Sequence, residues 1–191
     1  MSASKRDILV RGAMNVFYRE GFNATGMDKL AKETGVSKMT MYKHFRSKED
    51  LILAALRLRD DEFLSSFTRQ VEEGAKTPKG RLLGVFDALA DWIEGRDFYS
   101  CMFIKATSEY QSPEHPIHVA SAEHKRKVLA FIQGLAGEAG AKNPKLLARQ
   151  LFMLTEGETV TAFILGKSGV AADAKAAAKV LIEAALPGQN T

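Results

Sequence analysis

The sequence predicts an all-α chain, on three observations. Helix starts and stops punctuate it at short intervals, apolar residues recur at helical spacing, and no run alternates apolar and polar residues as a half-buried strand would. Taken in order, Ser4 precedes Asp7 by three, Thr25 precedes Asp28, and Ser47 precedes Asp50. In each pair the hydroxyl suits an unbonded first-turn amide, and the acid suits the positive end of the helix dipole. Ser37 is a plain N-cap candidate, and Gly21 and Gly35 are the matching stops. Helices are therefore expected over about 4–20, 26–33, 38–44 and 48–73. Their expected core faces are Ile8, Leu9, Ala13, Val16 and Phe17, then Met27, Leu30 and Ala31, then Met41 and Phe45, then Leu51, Ile52 and Ala55.

The remainder follows the same rules. Thr77-Pro78 is a cap with a first-turn proline, opening a helix that runs to Glu94 and stops at Gly95. Phe98 to Tyr110 is a short apolar helix, and Ser112 to Pro116 breaks the chain. Further helices are expected from His118 to Ala136, from Asn143-Pro144 to Leu165, and from Ala171 to Leu186, the last ending at Pro187-Gly188.

Composition excludes several classes. The chain has 191 residues, 46% of them hydrophobic and 26% charged, and a mean hydropathy of −0.15. That is enough apolar surface for a packed core, with no run near the roughly 18 apolar residues a membrane helix needs. The stretch from Met1 to Asp7 meets charge at once and lacks the apolar core of a signal peptide. Cys101 is the single cysteine, which excludes a disulfide or a cysteine-built zinc site within one chain. A cytoplasmic protein without metal or cofactor is the expectation. Net charge is only +4, but residues 1–48 hold ten Lys/Arg against four acids, a balance of +6, and the rest balances at −2. A basic head of this kind suits a polyanion.

The head holds a helix-turn-helix pattern between Thr25 and Phe45. Gly35 turns the chain, Val36 fills the angle, and Ser37 caps a second short helix. If Leu30, Val36, Met41 and Phe45 face a shared core, then Lys38, Met39, Thr40, Tyr42, Lys43 and His44 lie outward or at its margins. A helix of this size fits the major groove of B-DNA. Lys38 can donate to guanine, Thr40 can bond or offer its methyl to thymine, and Met39 can make apolar contact. Tyr42, His44 and Lys48 suit the phosphate backbone, Lys48 beside the free amides of the next helix. The same corner could serve protein contacts instead. The motif's coincidence with the basic head favours DNA.

The first fifty-odd residues resemble the DNA-binding domain of the TetR family of transcriptional repressors. The resemblance rests on Phe17, Gly21-Phe22, Thr25, Leu30-Ala31, Gly35-Val36-Ser37, Met41 to Phe45, and Lys48 to Leu51, with no gap in the spacing. Phe98 to Phe103, with Ser108 to Tyr110 and His115 to Ile117, is similar to one branch of that family. The resemblance implies DNA contacts at Thr25, Lys38, Thr40, Tyr42, His44 and Lys48. Ser37, Met39 and Lys43 complete the candidate set. It further implies two domains, a DNA-binding head over 1–48 and a helical ligand-binding and dimerisation body over 49–191. A homodimer on a near-palindromic operator, released by a small apolar effector, is the function it suggests. The alternative is a helical ligand-binding or protein-interaction module without specific DNA binding.

The body gives this partial support. Leu147, Leu151, Leu154, Thr161 and Leu165 repeat at helical spacing, and Ala174, Ala178, Leu181 and Ala185 form a small-residue face, so both are candidates for a four-helix dimer interface. Phe63, Phe67, Trp92, Met102, Phe103, Phe131 and Phe152 are candidate pocket residues, with Phe86, Phe98, Met153 and Phe163 as further members. Glu156 lies inside an apolar stretch, where an acid needs a partner or stays protonated, and it is the candidate for reading a cationic or hydroxylated ligand beside His124 or Glu109. The same residues also suit plain core and solvent roles. No phosphate loop, nucleophile elbow or helical His pair points to an enzyme.

Overall fold

The computed structural model describes residues 4–187. Met1, Ser2 and Ala3 of the N-terminal stretch and Gly188 of the last expected stop lie outside them. Among the described residues there are nine helices and no strand: α1 Lys5–Glu20, α2 Met27–Thr34, α3 Lys38–His44, α4 Lys48–Gly74, α5 Pro78–Glu94, α6 Met102–Glu109, α7 Pro116–Glu138, α8 Pro144–Leu165 and α9 Val170–Ala185. The chain divides by packing into two compact units, residues 1–63 with 101–124, and residues 64–100 with 125–191. This cut differs from the functional one expected at residue 48.

The caps explain most boundaries. Ser4, Ser37, Thr77 and Asn143 accept the amides of Asp7, Thr40, Gly80 and Leu146, and Ser47 accepts that of Asp50. Thr25 does not do what its spacing suggests. Gly26 caps α2 without a side-chain bond, and the Thr25 hydroxyl donates to the Gly21 carbonyl at 2.8 Å. The short helix expected from Phe98 begins only at Met102. Ser100 breaks the run with φ of 70°, a conformation no helix continues through.

In the first unit Leu9, Ala13, Phe17, Phe22, Leu30, Met41, Leu51, Ile52 and Ala55 are fully buried. Each large side chain among them contributes about 1.5–3 kcal/mol relative to exposure. Ile8 is a correction, since it is exposed; Met27 and Ala31 are only half-buried. In the second unit α5, α8 and α9 pack on one another, with Leu82, Val85, Phe86, Leu89, Ile93, Leu147, Leu151, Ala178 and Ile182 inside.

Candidate functional site

α3 is seven residues long and buries one of them, Met41. That single anchor, with Val36 before it and Phe45 after it both buried, turns the rest of the helix outward. Gly35 makes the turn possible: its φ of 67° lies in the left-handed region that costs other residues about 1–2 kcal/mol. Met39 is 68% exposed and Tyr42 55%; Ser37, Lys38, Lys43 and His44 are exposed, and Thr40 is half-buried beside the Ser37 hydroxyl. These outward side chains and the unbonded amides at the start of α3 form a surface that can donate to phosphates and base edges.

The cations on this surface differ in their commitments. Lys38 pairs with Asp28, whose hydrogen bond raises the ammonium above its ordinary value. Both partners are well exposed, so a phosphate or base can replace Asp28 at little cost. Lys43, Arg46 and Lys48 make no ion pair among the described residues. Arg46 is absent from the sequence-derived set, although it is exposed between α3 and α4; its place in a basic loop is the signal that could have found it. Thr25 is a correction. It is fully buried and its hydroxyl is spent on Gly21, so it offers no surface to a phosphate.

The corner that presents α3 is tied down by α6. Glu109 accepts the backbone amide of Phe22 at 2.9 Å with one carboxylate oxygen and that of Asn23 with the other. Gly21 has φ of 85°, and a Cβ there would lie 2.8 Å from Glu109 Oε1, so glycine is needed twice over. One helical turn earlier, Lys105 donates to the Tyr18 carbonyl at 2.8 Å, and burial lowers its ammonium below the usual lysine range.

The pocket candidates fall into two groups. In the first unit, His124 is buried, its Nδ1 lies 2.7 Å from Asp60 Oδ1, its ring stacks on Phe103 at 3.7 Å, and Phe63 meets it edge-on at 5.4 Å. Met102 is buried there too. In the second unit, Phe67 meets Phe131 edge-on at 5.9 Å, Trp92 meets Phe98 at 5.0 Å, and Phe152 is half-buried. Glu156, the candidate for reading a ligand, is half-buried and already paired with Lys125 at 2.7 Å. Among the described residues, the buried acid without a hydrogen-bond partner is Glu158. Its spacing could have found it, since Leu151, Thr155, Glu158 and Ala162 share one buried row. Cys101 is buried. The His115 and His118 ring nitrogens engage the Ile117 amide and the Tyr110 carbonyl.

The dimer candidates also need correction. Leu147, Leu151 and Ala178 are buried within the chain and have no surface to offer a second copy. Leu154, Ala174, Leu181 and Ala185 are half-buried, and Thr161 and Leu165 are exposed. The apolar side chains that do face outward are Leu146, Met153, Phe163, Ile164 and Leu165 on α8 and Val180 on α9, Leu165 being 80% exposed. The inward row took the leucines because α8 packs on both α5 and α9.

A short, outward-facing second helix behind a glycine turn is the geometry of a helix-turn-helix, and comparison with known proteins agrees. Residues 9–55 match the model of bacterial regulatory proteins of the tetR family. The chain is 38% identical over 90 residues to the transcriptional activator FasR of Mycolicibacterium smegmatis, an alignment spanning 47% of this chain and 41% of FasR. It is 33% identical over 94 residues to the transcriptional repressor KstR2 of the same organism, spanning 49% of this chain and 45% of KstR2. The chain thus spans under half the length of these two relatives. A TetR-family transcriptional regulator of Streptomyces coelicolor has the same fold, with a TM-score of 0.90 at 26% identity over 97% of this chain and 91% of that one. Residues 9–55 thus match a TetR-type DNA-binding domain, and the chain as a whole has the fold of a TetR-family transcriptional regulator. No helix among the described residues is long and apolar enough to cross a membrane.

Proposed function

We propose that the protein is a homodimeric repressor of the cytoplasm that binds a near-palindromic operator and leaves it when a small, largely apolar molecule binds the body. Residues 1–48 act as the reading head and residues 49–191 as the effector and dimer domain. The observation that carries this reading is the outward face of α3. Lys38, Met39, Thr40, Tyr42 and Lys43 read or flank the bases of one major groove, and His44, Arg46 and Lys48 hold the flanking phosphates. The second copy brings a second α3 to the next half-site, about one helical turn away. The outward apolar face of α8 and α9 is the surface that supports pairing, since side chains such as Met153, Ile164, Leu165 and Val180 gain most from being covered by the same face of a partner.

The test is a gel shift with the DNA upstream of the protein's own gene, at moderate salt, with unrelated DNA as competitor. Sequence-selective binding that falls steeply with salt supports the proposal. Indifference to sequence overturns it. A reporter behind the same DNA then distinguishes repression from activation.

A further inference from the structure

Glu158 stands on the inward row of α8 and is 3% exposed, and neither of its carboxylate oxygens has a hydrogen-bond partner among the described residues. A buried acid left this way costs free energy whether it is charged or neutral. The hydroxyls that flank it on α8 are spent on backbone carbonyls. The Thr155 hydroxyl donates to the Phe152 carbonyl at 2.7 Å and the Thr159 hydroxyl to the Thr155 carbonyl at 2.8 Å. The Lys125 ammonium goes to Glu156, and that of Lys167 to the Gly95 carbonyl at 2.9 Å. One turn beyond Glu158, Ala162 packs with Ile93 and Phe98, flanked by Trp92 and Val170. The face of Phe98 already attracts a cation, since the Lys167 ammonium lies 5.4 Å from the ring centre. Residues 49–191 carry a net charge of −2, which favours a positive visitor over a negative one.

We propose that Glu158 is the recognition group for the effector, and that the effector is an apolar organic cation, a protonated amine on a hydrocarbon or aromatic body. This rests on the reading of the body as an effector domain. The ammonium supplies the charged donors the carboxylate lacks, and a charge-assisted hydrogen bond away from water is what compensates a buried carboxylate. The apolar remainder suits the aromatic neighbourhood of Ala162. A neutral molecule of the same shape leaves the acid without a counter-charge, so the site discriminates against it. Burial alone pushes the Glu158 carboxyl up to about 8, which is the mark of a missing counter-charge.

The experiment titrates the full chain calorimetrically with phenylbutylamine and with its neutral counterpart phenylbutanol. The amine is expected to bind about tenfold tighter than the alcohol, and Glu158→Gln is expected to erase that preference. Glu158→Leu removes the uncompensated acid and is expected to melt above the wild type, also without preference. Equal binding of amine and alcohol, no binding of the amine, a preference that survives Glu158→Gln, or a Glu158→Leu protein that melts below wild type each overturns the proposal. Repeating both titrations on the DNA-bound protein separates the two readings. An amine that binds through Glu158 but leaves DNA occupied upholds this proposal and defeats effector release. An alcohol that releases DNA as well as the amine does the reverse.

Discussion

Glu109 and Glu158 are the same side chain in two regions with opposite surroundings. In the first unit Glu109 spends both carboxylate oxygens on the amides of Phe22 and Asn23. In the second unit Glu158 is more deeply buried and bonds to nothing. The surfaces differ in the same sense. α3 exposes apolar Met39 and Tyr42 among cations, whereas α8 exposes Met153, Ile164 and Leu165 close together. The contrast is between an acid that fixes a shape and one that strains the core around it. An acid with two amide partners holds a corner; a buried acid with none costs stability.

The largest expected effect tests the head. Replacing Lys38, Tyr42 and Lys48 together by Ala should weaken operator binding by about 4 kcal/mol, roughly a thousandfold in Kd, measured by gel shift. Next comes the outward face of α8. Met153→Asp with Ile164→Asp should cost the proposed dimer more than about 3 kcal/mol and give a monomer in sedimentation velocity, because both charges would be buried by pairing. An unchanged sedimentation coefficient would show that this face is solvent surface.

The two glutamates come next. Glu158 ionises at about 8 when folded against an ordinary 4.5, so the unfolded chain releases the proton first. Its penalty is absent below pH 4.5, grows through the window up to about 8, and is constant above it. Wild type should match Glu158→Gln in stability at pH 4 and fall behind by about 2–3 kcal/mol at pH 6.5, read from denaturant midpoints. Glu109→Gln should cost about 1–2 kcal/mol and speed hydrogen exchange at the Phe22 and Asn23 amides, leaving that of α8 unchanged. Gly35→Ala should cost about 1 kcal/mol, all of it conformational, because a Cβ there meets nothing within 4 Å.

Local features were legible in the sequence, because caps, stops and helical spacing act within a few residues. Ser4, Ser37, Ser47, Thr77 and Asn143 cap as their spacing implies. Thr25 does not, because the Gly21 carbonyl, four residues back, offers its hydroxyl a competing partner. Glu109 carries no local signal, since its partners lie more than eighty residues away in sequence. Glu156 and Glu158 are two residues apart on one apolar helix; spacing puts Glu158 on the row of Leu151, Thr155 and Ala162, and the packing of α5 and α9 against α8 decides that this row is turned inward. The leucines of α8 illustrate the same point. Helical spacing identifies a stripe, and tertiary contact decides whether the stripe faces the chain's own core or a partner.

Within α3 only Met41 is buried, between the buried Val36 and Phe45, and the other six residues contribute little to the core. Each can therefore be exchanged at small cost to folding. The lineage of this gene is free to rewrite that surface one substitution at a time, and a duplicated copy can drift to a new preference while inheriting its stability and the rest of its fold intact.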